Sequence, residues 1–352
     1  MSFSVKSLYI VVENLAFLLY DTRYNTFLSE CHTREKDFLK KIYLSGGNLQ
    51  MQELKEILQY FPIHIKETIL ENISISIGEF IEEIRIRLSR PIVLKIGQES
   101  MVVDYMISKE EMNEIFERIC ENSIYSYRKE ICEGFITIKG GHRVGITGTA
   151  VFEDKIKNMN YISSLNFRIA REKKDSSKEI IKHIINAKEN SIYNTLIISP
   201  PGCGKTTILR DIIRNLSNGI EQINFTPKVI GLVDERGEIA ATYKGVPQND
   251  IGIMTDVMSN FPKSIGMKML IRSMSPQIIA CDEIGGIEDV EAIKAAVCSG
   301  VKGIFTAHGR SIEDIIKNPE LNQLIKGNIV EKVIQLSTKE KGRTEKIYDM
   351  KK

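Results

Sequence analysis

Apolar positions along this chain change their spacing several times, and each change marks an element. Met51, Leu54, Ile57 and Leu58 recur at the three- and four-residue steps of one helix face, and Pro62 stops the run. A second helix is predicted from His64 to Ile73. Over 83–88 the period shortens to two, with Ile84, Ile86 and Leu88 alternating with Glu83, Arg85 and Arg87. That is the spacing of a half-buried strand, and strand resumes over 92–96 after the Arg90-Pro91 turn. Arg85 and Arg87 share the polar face, either solvated or available to a partner subunit or a phosphate. A helix over 109–121 then leads to two short strands joined by a glycine turn within 134–148, with His142 and Arg143 beside the turn.

Beyond about residue 190 the apolar runs become continuous. Leu196-Ile197-Ile198, the segment 228–233, the segment 277–281 and Gly303-Ile304-Phe305 are separated by helix-period stretches over 205–216, 263–274 and 287–298. Short strands that are apolar on both faces, alternating with helices, predict a parallel sheet covered on both sides. The domains expected are a mixed α/β N-terminal domain over 51–165, a linker and helix over 166–190 with the helix at 177–187, and the parallel α/β domain over 191–352.

Residues 1–50 carry aromatic and charged residues without a sustained period and end in Ser45-Gly46-Gly47-Asn48. Two readings stand for them. Translation starts at Met51 and the preceding residues are read through in frame, or they form a short helix hairpin.

The polar groups at the ends of the continuous runs bring in the chemistry. The first run leads into Ser199-Pro200-Pro201-Gly202-Cys203-Gly204-Lys205-Thr206-Thr207. Strand, glycine-rich loop, Lys-Thr and helix in that order are a phosphate-binding P-loop, whose backbone N–H groups and helix dipole surround an anion. Lys205 is expected to reach the β- and γ-phosphates of ATP, and Thr206 to hold Mg²⁺. Ser199 stands where the first glycine of the motif normally sits. The second run ends in Asp234-Glu235-Arg236-Gly237-Glu238, which places carboxylates in the ligand crevice of an open sheet. The third ends in Asp282-Glu283, with Asp282 expected at Mg²⁺ and Glu283 polarising the attacking water. The last ends in Thr306-Ala307-His308, where Thr306 or His308 is placed to sense the γ-phosphate. With a P-loop at its first strand, this domain is expected to be RecA-like.

Three arginines are further candidates. Arg168 and Arg171 stand on the connector between domains, and Arg272 lies just before the strand that ends in Asp282-Glu283. In a ring ATPase such residues reach a neighbour's nucleotide, where an arginine finger is worth ~10³–10⁵ in rate.

Composition narrows the partners. Lys plus Arg number 48 against 46 Asp plus Glu, so no excess of positive charge argues for nucleic acid. The six cysteines show no paired metal spacing, which fits a reducing cytoplasm. The most apolar N-terminal run, Leu8 to Tyr20, contains Glu13 and Asn14 and falls short of the ~20 residues of a membrane span, so any membrane contact is expected to be peripheral.

The order of P-loop, acidic box, Asp282-Glu283 and Thr-x-His-x-x-Ser resembles the type II and type IV secretion ATPases. More narrowly, 83–91, Gly140-Gly141-His142-Arg143-Val144-Gly145, 163–172, 234–240 and Arg272-Ser273-Met274-Ser275-Pro276 are similar to the stage III sporulation AA family of endospore-forming bacteria. The likeness spans about residues 51–340. It implies a homo-hexameric ATPase on the mother-cell side of the outer forespore membrane, acting with the membrane proteins of one sporulation channel complex. It assigns Lys205 and Thr206 to nucleotide binding, Glu283 to hydrolysis, and Glu235, Glu238 and His308 to the acidic and histidine boxes. Asp282 departs from the glycine that precedes the glutamate in many secretion ATPases. Two other functions remain open, a nucleic-acid motor and a nucleotide-dependent assembly scaffold with negligible turnover.

Overall fold

A computed structural model describes residues 50–350, apart from 74–77, 79, 154 and 172. The expectations for residues 1–49 lie outside the described residues. The chain divides at Arg171/Glu172 into two compact units, so the segment read as a linker, 166–190, is shared between them.

The first unit begins with helices α1 (Gln50–Leu58) and α2 (Ile63–Asn72), which Pro62 separates as the sequence suggests. Strands β1 (Ile81–Arg87), β2 (Pro91–Ile96) and β3 (Glu99–Met106) follow, then α3 (Lys109–Ile119) and α4 (Arg128–Glu133). Strands β4 (Phe135–Thr137), β5 (Arg143–Glu153) and β6 (Lys155–Arg168) complete it. They form one antiparallel sheet in the order β3-β2-β1-β6-β5-β4. Ile84, Ile86, Leu165 and Phe167 alternate inward from the two central strands and are buried with Leu54, Ile57, Ile65 and Ile115 of the helices. A Ser108–Glu111 capping box starts α3.

The second unit opens with a single turn α5 (Ile181–Ile184) and a small hairpin β7 (Ile185–Asn186) and β8 (Ser191–Ile192). The 177–187 helix is therefore mostly absent. Asp211 captures the backbone N–H groups of Asp175 and Ser177, at 3.2 and 2.8 Å, and holds that stretch in turns. The nucleotide-fold elements follow: β9 (Thr195–Ser199), α6 (Lys205–Asn218), β10 (Ile230–Asp234), β11 (Thr255–Ser259), α7 (Lys263–Met274), β12 (Ile278–Cys281), α8 (Ile287–Cys298) and β13 (Lys302–His308). Short helices α9 (Ile312–Lys317) and α10 (Asn322–Lys326) lead to a closing hairpin, β14 (Lys332–Leu336) and β15 (Thr344–Asp349).

The sheet order is β11-β10-β12-β13-β9-β14-β15, parallel throughout except for β15. Each central strand is apolar on both faces because each face has its own core. Ile197, Ile278 and Ala280 pack on the side of α6, whereas Leu196, Ile198 and Ile279 pack on the side of α7 and α8. This α/β unit is the RecA-like P-loop arrangement expected, preceded by the smaller mixed α/β unit. All polar strand ends named above emerge at one edge of the sheet.

Candidate active site

The loop after β9 turns through Gly202 and Gly204, at φ +79° and +94°, conformations that a side chain would strain. Gly204 caps the N-terminus of α6. Ser199 fits the first-glycine position because it is still a buried strand residue and needs no left-handed backbone; its hydroxyl turns back onto the Pro200 carbonyl at 2.9 Å. Pro200 and Pro201 open the loop, Cys203 is half-buried within it, and Thr206 and Thr207 follow Lys205 in the first helical turn.

Lys205 is buried, and its Nζ donates to the carbonyls of Ser199 at 2.8 Å and Pro200 at 3.2 Å. Burial pushes its pKa down, against the pull of Glu283 and Asp282. The same ammonium lies 3.3 Å from His308 Nδ1, and His308 Nε2 lies 3.0 Å from Glu283. A neutral His308 satisfies both contacts only with its proton on Nε2. Lys205, His308 and Glu283 are thus one connected chain drawn from α6, β13 and the end of β12.

Beside that chain, Thr206 Oγ1 donates to Asp282 Oδ2 at 2.7 Å. Thr306 is fully buried; its hydroxyl donates to the other Asp282 oxygen and accepts from the Glu283 N–H at 2.8 Å. Glu283 sits at φ +51°, so the Thr306 contact supports a backbone conformation that a non-glycine residue otherwise resists. Its carboxylate also meets Arg236.

The acidic box is built around Asp234. This buried carboxylate accepts from the N–H groups of Glu238 (2.9 Å), Ile239 (3.2 Å) and Ala240 (2.8 Å). Burial raises its pKa, opposed by those three backbone donors. From the other side Arg210 of α6 donates to the carbonyls of Ile239 at 2.8 Å and Glu238 at 2.6 Å. Glu235 is held by Lys263 at the start of α7. Asp234, Glu235, Arg236, Glu238, Lys263, Asp282 and Glu283 line one shallow open cleft.

Most of the predicted site residues therefore converge: the P-loop, Asp282, Glu283, Glu235, Glu238 and His308 share one sheet edge. The three arginines do not join them in the same way. Arg168 and Arg171 belong to the first unit, where Arg168 faces Glu83 and Arg171 pairs with Glu53 and donates to the Ile81 carbonyl at 2.6 Å. Arg272 is in the last turn of α7, which starts at the site edge with Lys263 and runs back to the beginning of β12. It stands at the opposite edge of the sheet, so within one subunit it does not reach the P-loop, although it directly precedes the Asp282-Glu283 strand in sequence. The sequence reading missed Arg210 and Lys263. The available signal for Arg210 was a charge one helical turn beyond Thr206, beside Ile208, Leu209, Ile212 and Ile213, all buried.

The donor set fits a nucleotide with a hard divalent cation. The glycine loop is open where phosphate would enter, since a Cβ at Gly202 meets nothing within 4 Å. Thr206 and Asp282 offer a hydroxyl and a carboxylate side by side, the oxygen ligands Mg²⁺ prefers.

The model of the family described as sporulation stage III, protein AA matches residues 51–352. The chain belongs to that family. Stage III sporulation protein AA of Bacillus subtilis (strain 168) is 40% identical over 271 residues, covering 76% of this chain and 87% of that protein. Among solved structures, the ATPase DotB of Legionella pneumophila superposes with a TM-score of 0.52 at 16% identity, over 78% of this chain and 76% of DotB. The pilus retraction motor PilT with bound ADP gives a TM-score of 0.52 at 15% identity, over 80% and 77%. At those identities the two structures establish the shared fold. Among the described residues no helix is long and apolar enough to cross a membrane.

Proposed function

We propose that this chain is a Mg²⁺-dependent ATPase that binds and hydrolyses ATP as a ring, most simply a homo-hexamer. The ring energises or gates a secretion-like channel complex between mother cell and forespore. The single observation that carries the enzymatic part is the connected set Lys205, His308 and Glu283 beside the Thr206–Asp282 pair.

In this reading the P-loop N–H groups and Lys205 bind the phosphates, with Lys205 exchanging its loop carbonyls for phosphate oxygens. Mg²⁺, when bound, neutralises the phosphate charge, and Thr206 and Asp282 are the residues that hold it. Glu283 accepts a proton from the attacking water after Arg236 releases its carboxylate. Thr306 keeps the Glu283 backbone in place during that exchange. His308, bonded to Lys205 on one nitrogen and Glu283 on the other, reports the state of the phosphate end to the catalytic carboxylate. Arg168, Arg171 and Arg272 are proposed to act, where they act, toward a neighbouring subunit. Membership of a sporulation family supports a mother-cell setting, with peripheral attachment to the outer forespore membrane through the membrane proteins of the same complex.

One observation favours a second reading, a nucleotide-dependent scaffold. Glu283 is already engaged by Arg236 and His308, and a carboxylate so occupied must let one go before it works as a base. ATP turnover and mass in solution with and without ATP and Mg²⁺, both compared for the wild type and Glu283→Gln, test both readings. An engine assembles with ATP and stalls in the variant. A scaffold assembles equally in both and shows no turnover to lose, and a protein that stays monomeric with ATP contradicts the ring.

A further inference from the structure

We infer that the turn between β14 and β15, residues 337–343, is the wall of the nucleotide site on the nucleoside side, and that Lys341 is its contact to the phosphate nearest the sugar. The inference rests on the nucleotide reading above and adds a binding element to it.

Topology places the turn. Strand β14 runs parallel to β9, with Lys332 opposite Thr195 and Gln335 opposite Ile198, so it ends at the same sheet edge as the P-loop. It flanks β9 on the side away from β13. The residues that would surround the terminal phosphate, Asp282, Glu283 and His308, all come from the β12 and β13 side. A triphosphate lying along the loop with its reacting end there must direct its sugar and base toward β14.

The turn touches the loop itself. The Gly342 N–H donates to the Cys203 carbonyl at 3.0 Å. A Cβ built on Gly204 would lie 3.6 Å from Gly342 Cα and 3.7 Å from Lys341 Cγ, so the Lys341 stem is packed at the P-loop. The turn is also preformed. The Ser337 N–H donates to the Arg343 carbonyl at 2.8 Å, and the Ser337 hydroxyl accepts from the N–H groups of Lys339 and Glu340 at 3.2 and 3.3 Å. Its one carboxylate, Glu340, is taken by Arg343 at 2.9 Å. Lys341 is left exposed, with no ion pair among the described residues. A rigid turn presenting an uncommitted ammonium beside an anion-binding loop is suited to phosphate.

The test uses the full chain and measures ADP affinity by calorimetry, with hydrogen exchange of residues 337–343 read with and without ADP. Lys341→Ala should weaken ADP binding about 5- to 10-fold, the scale of one charge-assisted contact at a partly exposed site, and Lys341→Glu should weaken it further. Lys341→Arg should retain most of the affinity, and ADP should slow exchange in the turn. Wild-type affinity in Lys341→Ala, or a turn whose exchange ignores ADP, overturns the inference while leaving nucleotide binding intact. Failure of the wild type to bind ADP at all overturns the nucleotide reading and this inference together.

Discussion

Replacing Thr306 with valine removes one hydroxyl and almost no volume, so the change isolates two hydrogen bonds without opening a cavity. The hydroxyl donates to the Asp282 carboxyl group and accepts from the Glu283 N–H at 2.8 Å, in a fully buried position. A buried bond to a charged group contributes about 1.5–3 kcal/mol and a neutral one about 1 kcal/mol. The Glu283 N–H keeps a partner in Asp282 Oδ1 at 3.1 Å, which reduces the loss, so Thr306→Val should cost about 2–3 kcal/mol. For a unit spanning 172–352 that corresponds to a melting point lower by about 5–10 °C. The functional consequence is larger than the stability change. Glu283 holds φ +51° with the help of this contact, and releasing it lets the carboxylate drift. A shift of about 1 Å in a catalytic group costs up to ~100-fold in rate. The assays are a thermal melt, steady-state ATP turnover and ATP affinity. Expected results are kcat down about 10- to 100-fold, Kd changed by less than about threefold, and turnover largely recovered in Thr306→Ser, which keeps the hydroxyl. A Thr306→Val protein with wild-type melting point and kcat would show that this hydroxyl supports neither the fold nor Glu283.

Further predictions concern the same site and the first unit. His308→Ala should bind ATP nearly as tightly as the wild type yet hydrolyse it at least ~10-fold more slowly, because it cuts the link from Lys205 to Glu283; unchanged turnover at saturating ATP would remove His308 from the mechanism. A Cβ at Gly140 would lie 2.7 Å from Nε2 of the buried His142 ring, at φ +81°, so Gly140→Ala should lower first-unit stability by about 2 kcal/mol. An unchanged urea midpoint in Gly140→Ala would show that neither the ring nor the left-handed backbone requires glycine there. Burial alone would raise the Glu111 pKa, but hydrogen bonds from Tyr105, the Ser108 N–H and His64 outweigh it and hold the carboxyl at about 2, below its ordinary 4.5. A depressed acid stabilises the fold above its unfolded pKa, so this contribution is complete above pH 4.5 and fades as the pH falls toward about 2. Urea midpoints should show Glu111→Gln less stable than wild type by about 2 kcal/mol at pH 6 and nearly equal to it at pH 2; a constant gap across that range would contradict the assignment.

The parallel core was legible because both faces of its strands are buried, which leaves continuous apolar runs that end abruptly in polar groups. Helices over 263–274 and 287–298 were readable to the residue, since Pro262 and Gly286 mark their starts. What escaped the sequence was strand structure that depends on neighbours. Strand β6 holds polar Asn158 and Asn160 and is made a strand by pairing with β5 and β1. Strand β11 is a half-buried edge strand without apolar alternation, and the β14–β15 hairpin lies beyond the motifs. The helix expected at 177–187 shrank because a carboxylate 34 residues away, on α6, claims its first N–H groups. At the site, the groups proposed to bind or react were visible as polar strand ends. Those that position them, Arg210 and Lys263, sit on helices, where a charge reads as solvated until the packing is known. Arg272 shows the converse: adjacency in sequence to β12 is distance in space, because the helix before a parallel strand runs back to the far edge.

The P-loop and the Glu283 end of β12 are proposed to form one hydrolytic site. The most direct test measures ATP binding and ATP hydrolysis side by side for the wild type, Lys205→Ala and Glu283→Gln, each with Mg²⁺. Lys205→Ala should lose both binding and turnover. Glu283→Gln should retain ATP at near wild-type affinity and turn over at least ~100-fold more slowly. Wild-type turnover that survives in Glu283→Gln, or ATP binding indifferent to Lys205→Ala, would mean that these groups do not form one hydrolytic site.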